Sequence, residues 1–289
     1  MSAEATLTTA AQAPPRARRE PAIRIGPLAL GLNAIVVFGL LYLPILILIL
    51  FSFNGSRSVA QFTGFSTEWY AKLFENQELQ AAAVNSLQIA IVATVISTVI
   101  GTMTALAMDR FRFRLSGLFE ANLYLPIVIP EIVMGIALLL FYNQALFPII
   151  DTVFGVRPLA GWPTVAIAHI AFDIPFVYVI VRARLADFDR QLEEAAQDLG
   201  ANEWTTFRRV TLPLLMPGIV GGALMAFTLS LDDYLITAFT RGNINTMPTY
   251  IYSLVRKGVT PEINALSSVL LALSMGLVLL SLAAQRRRS

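Results

Sequence analysis

Three carboxylates stand out in or at the end of otherwise apolar stretches of this chain: Glu131, Asp232 and Asp233. An ionisable group at the centre of a membrane helix costs about 2.5–3.5 kcal/mol on insertion scales, so each should face a partner or a water-filled path. A line of carboxylates with few cations in the same stretches suits passage of a flexible polycation. Its positive groups pair with the carboxylates, and aromatic faces add a cation–π attraction of about 0.5–2 kcal/mol each. Trp69, Tyr124, Tyr234 and Tyr250 are the aromatic candidates. A structural alternative stands beside each reading. Asp232 and Asp233 would serve equally as an ion pair or a capped helix break near the outer interface, with Arg241 as a partner, and Glu131 as an acceptor for backbone broken next to Pro130. Trp69 suits an interfacial anchor as well as a ligand contact. His169 and Asp173 are four residues apart and share a helix face, which fits a buried hydrogen bond or a proton relay. With one histidine and no cysteine, no catalytic residue and no metal site is assigned.

The elements that must hold these groups are membrane spans. The chain is 56% hydrophobic and 14% charged, with a mean hydropathy of +0.67, against roughly 25% charged residues in soluble domains. A span needs about 20 apolar residues. Four charge-free runs meet that length, at 25–56, 79–108, 210–231 and 263–285. Two more carry ionisable groups: 121–142 with Glu131, and 163–181 with His169 and Asp173. Six spans are therefore expected. Glu131 would lie about ten residues into its span, near mid-membrane at about 1.5 Å per residue, with Asp232 and Asp233 toward the outer end of theirs. Gly218 with Gly222, and Ser97 with Gly101 and Ala105, are small-residue pairs suited to close helix packing. Prolines at 126, 130, 148, 175, 213 and 217 should break or kink helices where protein or water satisfies the freed backbone.

Lys and Arg placement sets the orientation. With the N-terminus cytoplasmic, the inner side holds fifteen of them and the outer loops six. The inner set is Arg16, Arg18, Arg19 and Arg24; Arg110, Arg112 and Arg114; Arg182, Arg184, Arg190, Arg208 and Arg209; and Arg286, Arg287 and Arg288. Both termini are expected inside. Residues 1–24 read as a disordered cytoplasmic tail rather than a cleaved signal, 25–285 as the membrane domain, and 286–289 as a basic tail. The net charge of +2 gives no reason to expect nucleic acid.

Between the fourth and fifth spans lies a polar, helix-favouring insert at about 187–209 that must sit on the aqueous side. Glu194, Ala195, Ala196, Asp198 and Leu199 suit a helix that Gly200 stops, and Asn202 suits the cap of a second short helix carrying Trp204, Phe207 and Arg208. Exposed Ala and Gly there would let another protein approach closely.

The spacing Glu194-Ala195-Ala196, three residues, Gly200, nine residues, Val210, one residue, Leu212-Pro213 resembles the signature of ABC importer permeases, with Val210 in place of the more usual isoleucine. Further segments resemble the permeases of spermidine/putrescine importers over about residues 28–285. They include Leu43-Pro44-Ile45, Ser52-Phe53-Asn54, Trp69-Tyr70, Asn85-Ser86-Leu87 as the opening of the second span, Ser230-Leu231-Asp232-Asp233, and the stretch from Gly258 to Leu266. Asp173 departs from the pattern, which has an uncharged residue there.

The resemblance implies an all-α membrane protein of six transmembrane helices with a cytoplasmic coupling helix between helices 4 and 5, the type I ABC importer permease fold. It implies that Glu194, Ala195, Ala196, Gly200, Leu212 and Pro213 couple the spans to an ATP-hydrolysing subunit, and that Glu131, Asp232, Asp233, Trp69 and Tyr234 line a polyamine path used by alternating access. The implied partners are a second permease chain, two copies of a cytoplasmic ATPase, a periplasmic polyamine-binding protein docking on 51–83 and 240–264, and the lipid of a bacterial inner membrane. ATP and Mg would be bound by the ATPase, since the chain has no phosphate-binding Gly-x-x-x-x-Gly-Lys-Ser/Thr sequence. No cofactor is expected here, and Asp233→Asn is expected to slow uptake with the protein level intact. An importer of another substrate such as ferric iron, a stand-alone secondary transporter and a membrane enzyme are the competing readings. A stand-alone transporter would leave the Glu-Ala-Ala segment without a role.

Overall fold

The computed structural model describes residues 27–286 apart from 58–60 and 112. The expected N-terminal tail with its four arginines, Arg112, and residues 287–289 with Arg287 and Arg288 lie outside the described residues. Among the described residues the chain is helical, with a single isolated bridge between Asn54 and Phe65 and no strand. It divides into two units, one ending at Leu48 and the other beginning at Ile49.

The first unit contributes most of α1 (Pro27–Ser52), a helix without a charged residue. The second opens with the short α2 (Glu68–Glu75) and the long α3 (Gln77–Arg110). α4 (Ser116–Val128) and α5 (Glu131–Phe141) follow, and a π-helical turn at Tyr142–Leu146 continues α5 into α6 (Phe147–Phe154). Next come α7 (Trp162–Ala186), α8 (Gln191–Asp198) and α9 (Glu203–Thr206). A second π-helical turn, Phe207–Thr211, leads α9 directly into α10 (Leu212–Asp232). The chain ends with α11 (Leu235–Thr240), α12 (Met247–Lys257) and α13 (Pro261–Arg286).

Five described helices are long and apolar enough to cross a membrane: Ala29–Ser52, Gln77–Arg110, Glu131–Phe154, Trp162–Ala186 and Glu203–Asp232. α13 adds 26 residues, about 39 Å at 1.5 Å per residue, over the run where the sixth span is expected.

Three boundaries differ from the sequence expectation. The third span is not 121–142. The chain breaks at Ile129 and Pro130, both extended, so Glu131 opens the apolar helix instead of standing at its middle. Pro130 has no N–H for the carbonyl one turn back and drives the residue before it out of helical geometry. The second span opens at Gln77, not at Asn85, because the Asn76 side chain caps it by accepting from Leu79 N at 3.0 Å. Asn85 and Ser86 lie inside α3 and hold the loop before α12: Asn85 Nδ2 donates to Asn245 O at 3.0 Å, and Ser86 Oγ accepts from Met247 N at 2.7 Å. Finally, α9 is no separate helix of the insert, because it runs on into the fifth span.

The core of the second unit is the trio α3, α7 and α10. The expected small residues make it possible. Ser97, Gly101 and Ala105 are all buried on α3, and Gly218 and Gly222 on α10. A Cβ on Gly101 would stand 2.8 Å from Val177 Cβ, and one on Gly218 2.8 Å from Arg184 Cβ, so any side chain there would force the helices apart. A second cluster packs Trp69, Leu73, Leu79, Ala82, Tyr250, Ala265 and Leu266 together from α2, α3, α12 and α13.

Candidate functional site

The break between α10 and α11 builds the first part of the site. Asp232 is the last residue of α10, and Asp233 is extended, with φ −64° and ψ 122°. A helix that starts again after such a break exposes free amides. Asp233 satisfies them: one carboxylate oxygen accepts from Ile236 N at 3.2 Å, the other from Thr237 N and the Thr237 hydroxyl, both at 2.8 Å. His169, reaching across from α7, ties the two sides of the break together. Its Nδ1 lies 2.6 Å from Ser230 Oγ on α10. Its Nε2 lies 2.8 Å from Thr237 Oγ1 and 3.2 Å from Asp233 Oδ2. The Thr237 hydroxyl proton is spent on Asp233, so His169 Nε2 is the donor on that side.

His169 therefore does not pair with Asp173, the partner its spacing suggests. Asp173 is fully buried, and neither of its carboxylate oxygens finds a hydrogen bond among the described residues. Nor does Arg241 reach the aspartates. Its guanidinium holds Ile244 O at 3.1 Å and the Asn245 side chain.

Beside the break is a cavity of about 230 Å³ lined by Glu131, Phe172, Asp232, Asp233, Tyr234 and Leu235 with Thr228 and Leu229. A neighbouring cavity of about 380 Å³ shares the Glu131, Phe172 and Leu235 walls and extends along the Pro126–Ile132 break. Three carboxylates from two broken helices thus converge on one space whose lining contains no Lys or Arg. Glu131 and Asp232 are exposed, while Asp233 is only 8% exposed and committed to the cap. Tyr234 presents one ring to the cavity and packs on Tyr252 with ring centroids 4.5 Å apart.

The other aromatic candidates lie elsewhere. Trp69 is buried in the α2, α3, α12 and α13 cluster, donates from Nε1 to Asn54 O at 2.7 Å, and carries Lys72 of its own helix 4.7 Å above its ring. Tyr250 is buried in the same cluster with its hydroxyl accepting from Asn76 Nδ2 at 2.8 Å. Tyr124 packs edge-on against Tyr178. Phe172 is the cavity aromatic that sequence reasoning missed. Its signal was its place one residue short of Asp173 on an α7 face unknown from sequence.

The insert forms the second part. α8 ends in a full Schellman motif: Gly200 N donates to Gln197 O at 2.8 Å and Ala201 N to Ala196 O at 3.1 Å. Gly200 has φ +90°, the left-handed region that glycine enters without penalty. Asn202 then caps α9 as expected, accepting from Thr205 N at 2.8 Å. Glu194 and Ala195 are exposed and Ala196 half-buried. Leu199 is 90% and Trp204 68% exposed, an apolar pair beside the Glu-Ala-Ala turn. Leu212 and Pro213 begin α10 directly after the π-helical turn. Pro213 offers no N–H to the preceding turn, which fits a local widening of the helix there. Glu193, absent from the expected set, contacts both Arg110 on α3 and Thr211.

Comparison with known proteins follows the same line. The family described as binding-protein-dependent transport system inner membrane component matches residues 97–287. The chain is 41% identical over 247 residues to the spermidine/putrescine transport system permease protein PotC of Haemophilus influenzae, covering 85% of this chain and 92% of that protein. It is 40% identical over 249 residues to the putrescine transport system permease protein PotI of Escherichia coli, covering 83% and 84%. Among solved structures, it is similar to a chain of a bacterial ABC transporter involved in the import of the acidic polysaccharide alginate. The TM-score is 0.70 at 18% identity, covering 90% of this chain and 94% of that one, a likeness of fold.

Proposed function

The chain belongs to the family of binding-protein-dependent transport system inner membrane components and has the all-α permease fold of type I ABC importers, and on that premise we propose that it forms half of a polyamine translocation path. The observation that carries this reading is the cavity where Glu131, Asp232 and Asp233 converge beside Phe172 and Tyr234 without a cationic neighbour in the lining. The names of the relatives, spermidine/putrescine and putrescine permeases, support the same substrate class.

Polyamines carry ammonium groups joined by methylene chains. An ammonium 4 Å from a carboxylate gains about 4 kcal/mol at an effective dielectric of about 20, before desolvation is charged against it. Glu131 and Asp232 are the two carboxylates free to make that contact, and Phe172 and Tyr234 supply apolar and π surface for the methylenes and ammoniums. Asp233 adds negative potential while its oxygens stay on the cap. Because the carboxylates sit on helices that break, small rotations of α5 or α10 redirect them from one side of the membrane to the other.

The drive comes from outside the chain. The exposed Glu194, Ala195, Leu199 and Trp204 around the Gly200 turn form the docking face for a cytoplasmic ATPase, which binds ATP and Mg. Two ATPase copies, a second permease chain and a periplasmic polyamine-binding protein complete the assembly, with both termini of this chain cytoplasmic, the membrane domain at 25–285 and the coupling segment at about 187–209. Radiolabelled polyamine uptake tests the reading in cells stripped of their own importers and expressing this chain with its partner subunits. Uptake should require this chain and fall with Glu131→Gln and with Asp232→Asn. An assembled importer that moves no polyamine would redirect the reading to another substrate.

A further inference from the structure

Glu193 and Glu194 are neighbours in sequence, but successive residues on a helix point about 100° apart. α8 therefore gives them different surroundings. Glu194 is exposed. Glu193 turns toward the spans, its side chain 17% exposed, and its Oε1 lies 2.5 Å from Arg110 Nη2 at the last residue of α3. The same oxygen accepts the Thr211 hydroxyl from the π-helical turn that opens α10. Three residues before Glu193, Arg190 Nη2 lies 2.7 Å from Asp109 Oδ2, a second tie to the same end of α3. Leu185 and Phe188, from the end of α7 and just beyond it, complete a cavity of about 200 Å³ around these groups. One carboxylate thus sits where α8, α3 and α10 meet.

We propose that Glu193 is a positioning residue that clamps α8 to the cytoplasmic ends of α3 and α10, through Arg110 and Thr211, so that a displacement of α8 moves both spans together. The proposal rests on the importer reading above and adds to it a division of labour between adjacent glutamates. Glu194 belongs to the face offered to the ATPase, and Glu193 to the transmission behind it. Without the clamp, the Arg190–Asp109 pair still ties the start of α8 to α3, but the Glu193 side chain no longer links α8 to both Arg110 and Thr211. An ion pair whose arginine is 43% exposed contributes little to stability, so the clamp supplies geometry and its loss leaves the fold standing.

The test uses the importer assembled from this chain and its partner subunits in lipid vesicles, with ATP hydrolysis and polyamine uptake measured on one sample. In Glu193→Gln the ATPase stays bound and hydrolyses, while substrate moved per ATP falls about fivefold, within the range by which substitutions along a coupling network act. Arg110→Glu should do the same, and the exchanged pair Arg110→Glu with Glu193→Arg should restore most of the ratio. An unchanged ratio in both single variants overturns the clamp. So does a loss that the exchange leaves in place, or a Glu193→Gln chain that no longer holds the ATPase. A wild-type assembly that hydrolyses ATP but moves no polyamine refutes the substrate instead. The clamp is then read from labels on cysteines introduced into α8 and α10, in a chain that has none of its own. Their separation should hold on ATP addition in the wild-type background and change with Glu193→Gln. Equal behaviour in the two would sink the proposal.

Discussion

Substituting Asp233 by Asn separates two roles that adjacent aspartates share in the sequence. Asp233 accepts four contacts at the helix break, from Ile236 N, Thr237 N, the Thr237 hydroxyl and His169 Nε2. An amide keeps one acceptor oxygen. Its NH2 group must face either Ile236 N or the side of Thr237 N, the Thr237 hydroxyl and His169 Nε2, and the two backbone N–H groups can only donate, so at least one of the present contacts is lost. The change removes at least one hydrogen bond to a charged group, worth about 1.5–3 kcal/mol, and weakens the others by removing the charge. A destabilisation of about 2.5 kcal/mol corresponds to a fall of about 5–10 °C in melting temperature for a chain of this size class. Asp232 is exposed at the end of α10, so Asp232→Asn should stay within about 2 °C of wild type. Its uptake should drop at least about fivefold at low substrate, the loss of one carboxylate–ammonium contact of about 1–3 kcal/mol. The assay is thermal unfolding of the detergent-solubilised importer, paired with uptake in vesicles. The expectation from sequence, that Asp233→Asn spares the protein level, thereby passes to Asp232. A stable Asp233→Asn chain beside an unstable Asp232→Asn chain would refute the assignment of the cap.

Other perturbations probe the packing and the docking face. Gly101→Leu places a Cβ 2.8 Å from Val177 Cβ, and overpacking of this kind destabilises by about 1–3 kcal/mol; reduced yield and a lower melting temperature of the folded chain check it. Trp204→Ala and Leu199→Ala remove exposed apolar groups, so melting should be unchanged while retention of the ATPase in a pull-down falls several-fold. Gly200→Val forces a β-branched residue to φ +90°, at a cost of about 1–3 kcal/mol. Limited proteolysis of the 187–209 insert should then speed up, with the spans untouched.

Much of this protein is written in local sequence. Apolar runs of span length announced the long apolar helices, five of them among the described residues, because burying a backbone in lipid needs a helix of a set length. The Schellman stop at Gly200 and the cap at Asn202 were legible because both are short-range events. Small residues at helical spacing announced close helix packing for the same reason, while only the structure shows α7 as the partner they make room for. What stayed hidden depends on rotation and on contacts far apart in the chain. His169 has an aspartate one turn away on its own helix, yet its carboxylate partner is Asp233, 64 positions along the chain and brought beside it by the packing of α10 and α11 against α7. Glu131 read as a mid-span charge until Pro130 broke the helix ahead of it. Trp69 had the right chemistry for a cation path but was packed into another cluster. Glu193 and Glu194 are indistinguishable by type, and only the face that α8 turns to Arg110 and Thr211 tells them apart. Residue type and spacing determine which elements form. Which way each element faces is set by the packing of distant segments, and that is where the carboxylates acquire their separate tasks.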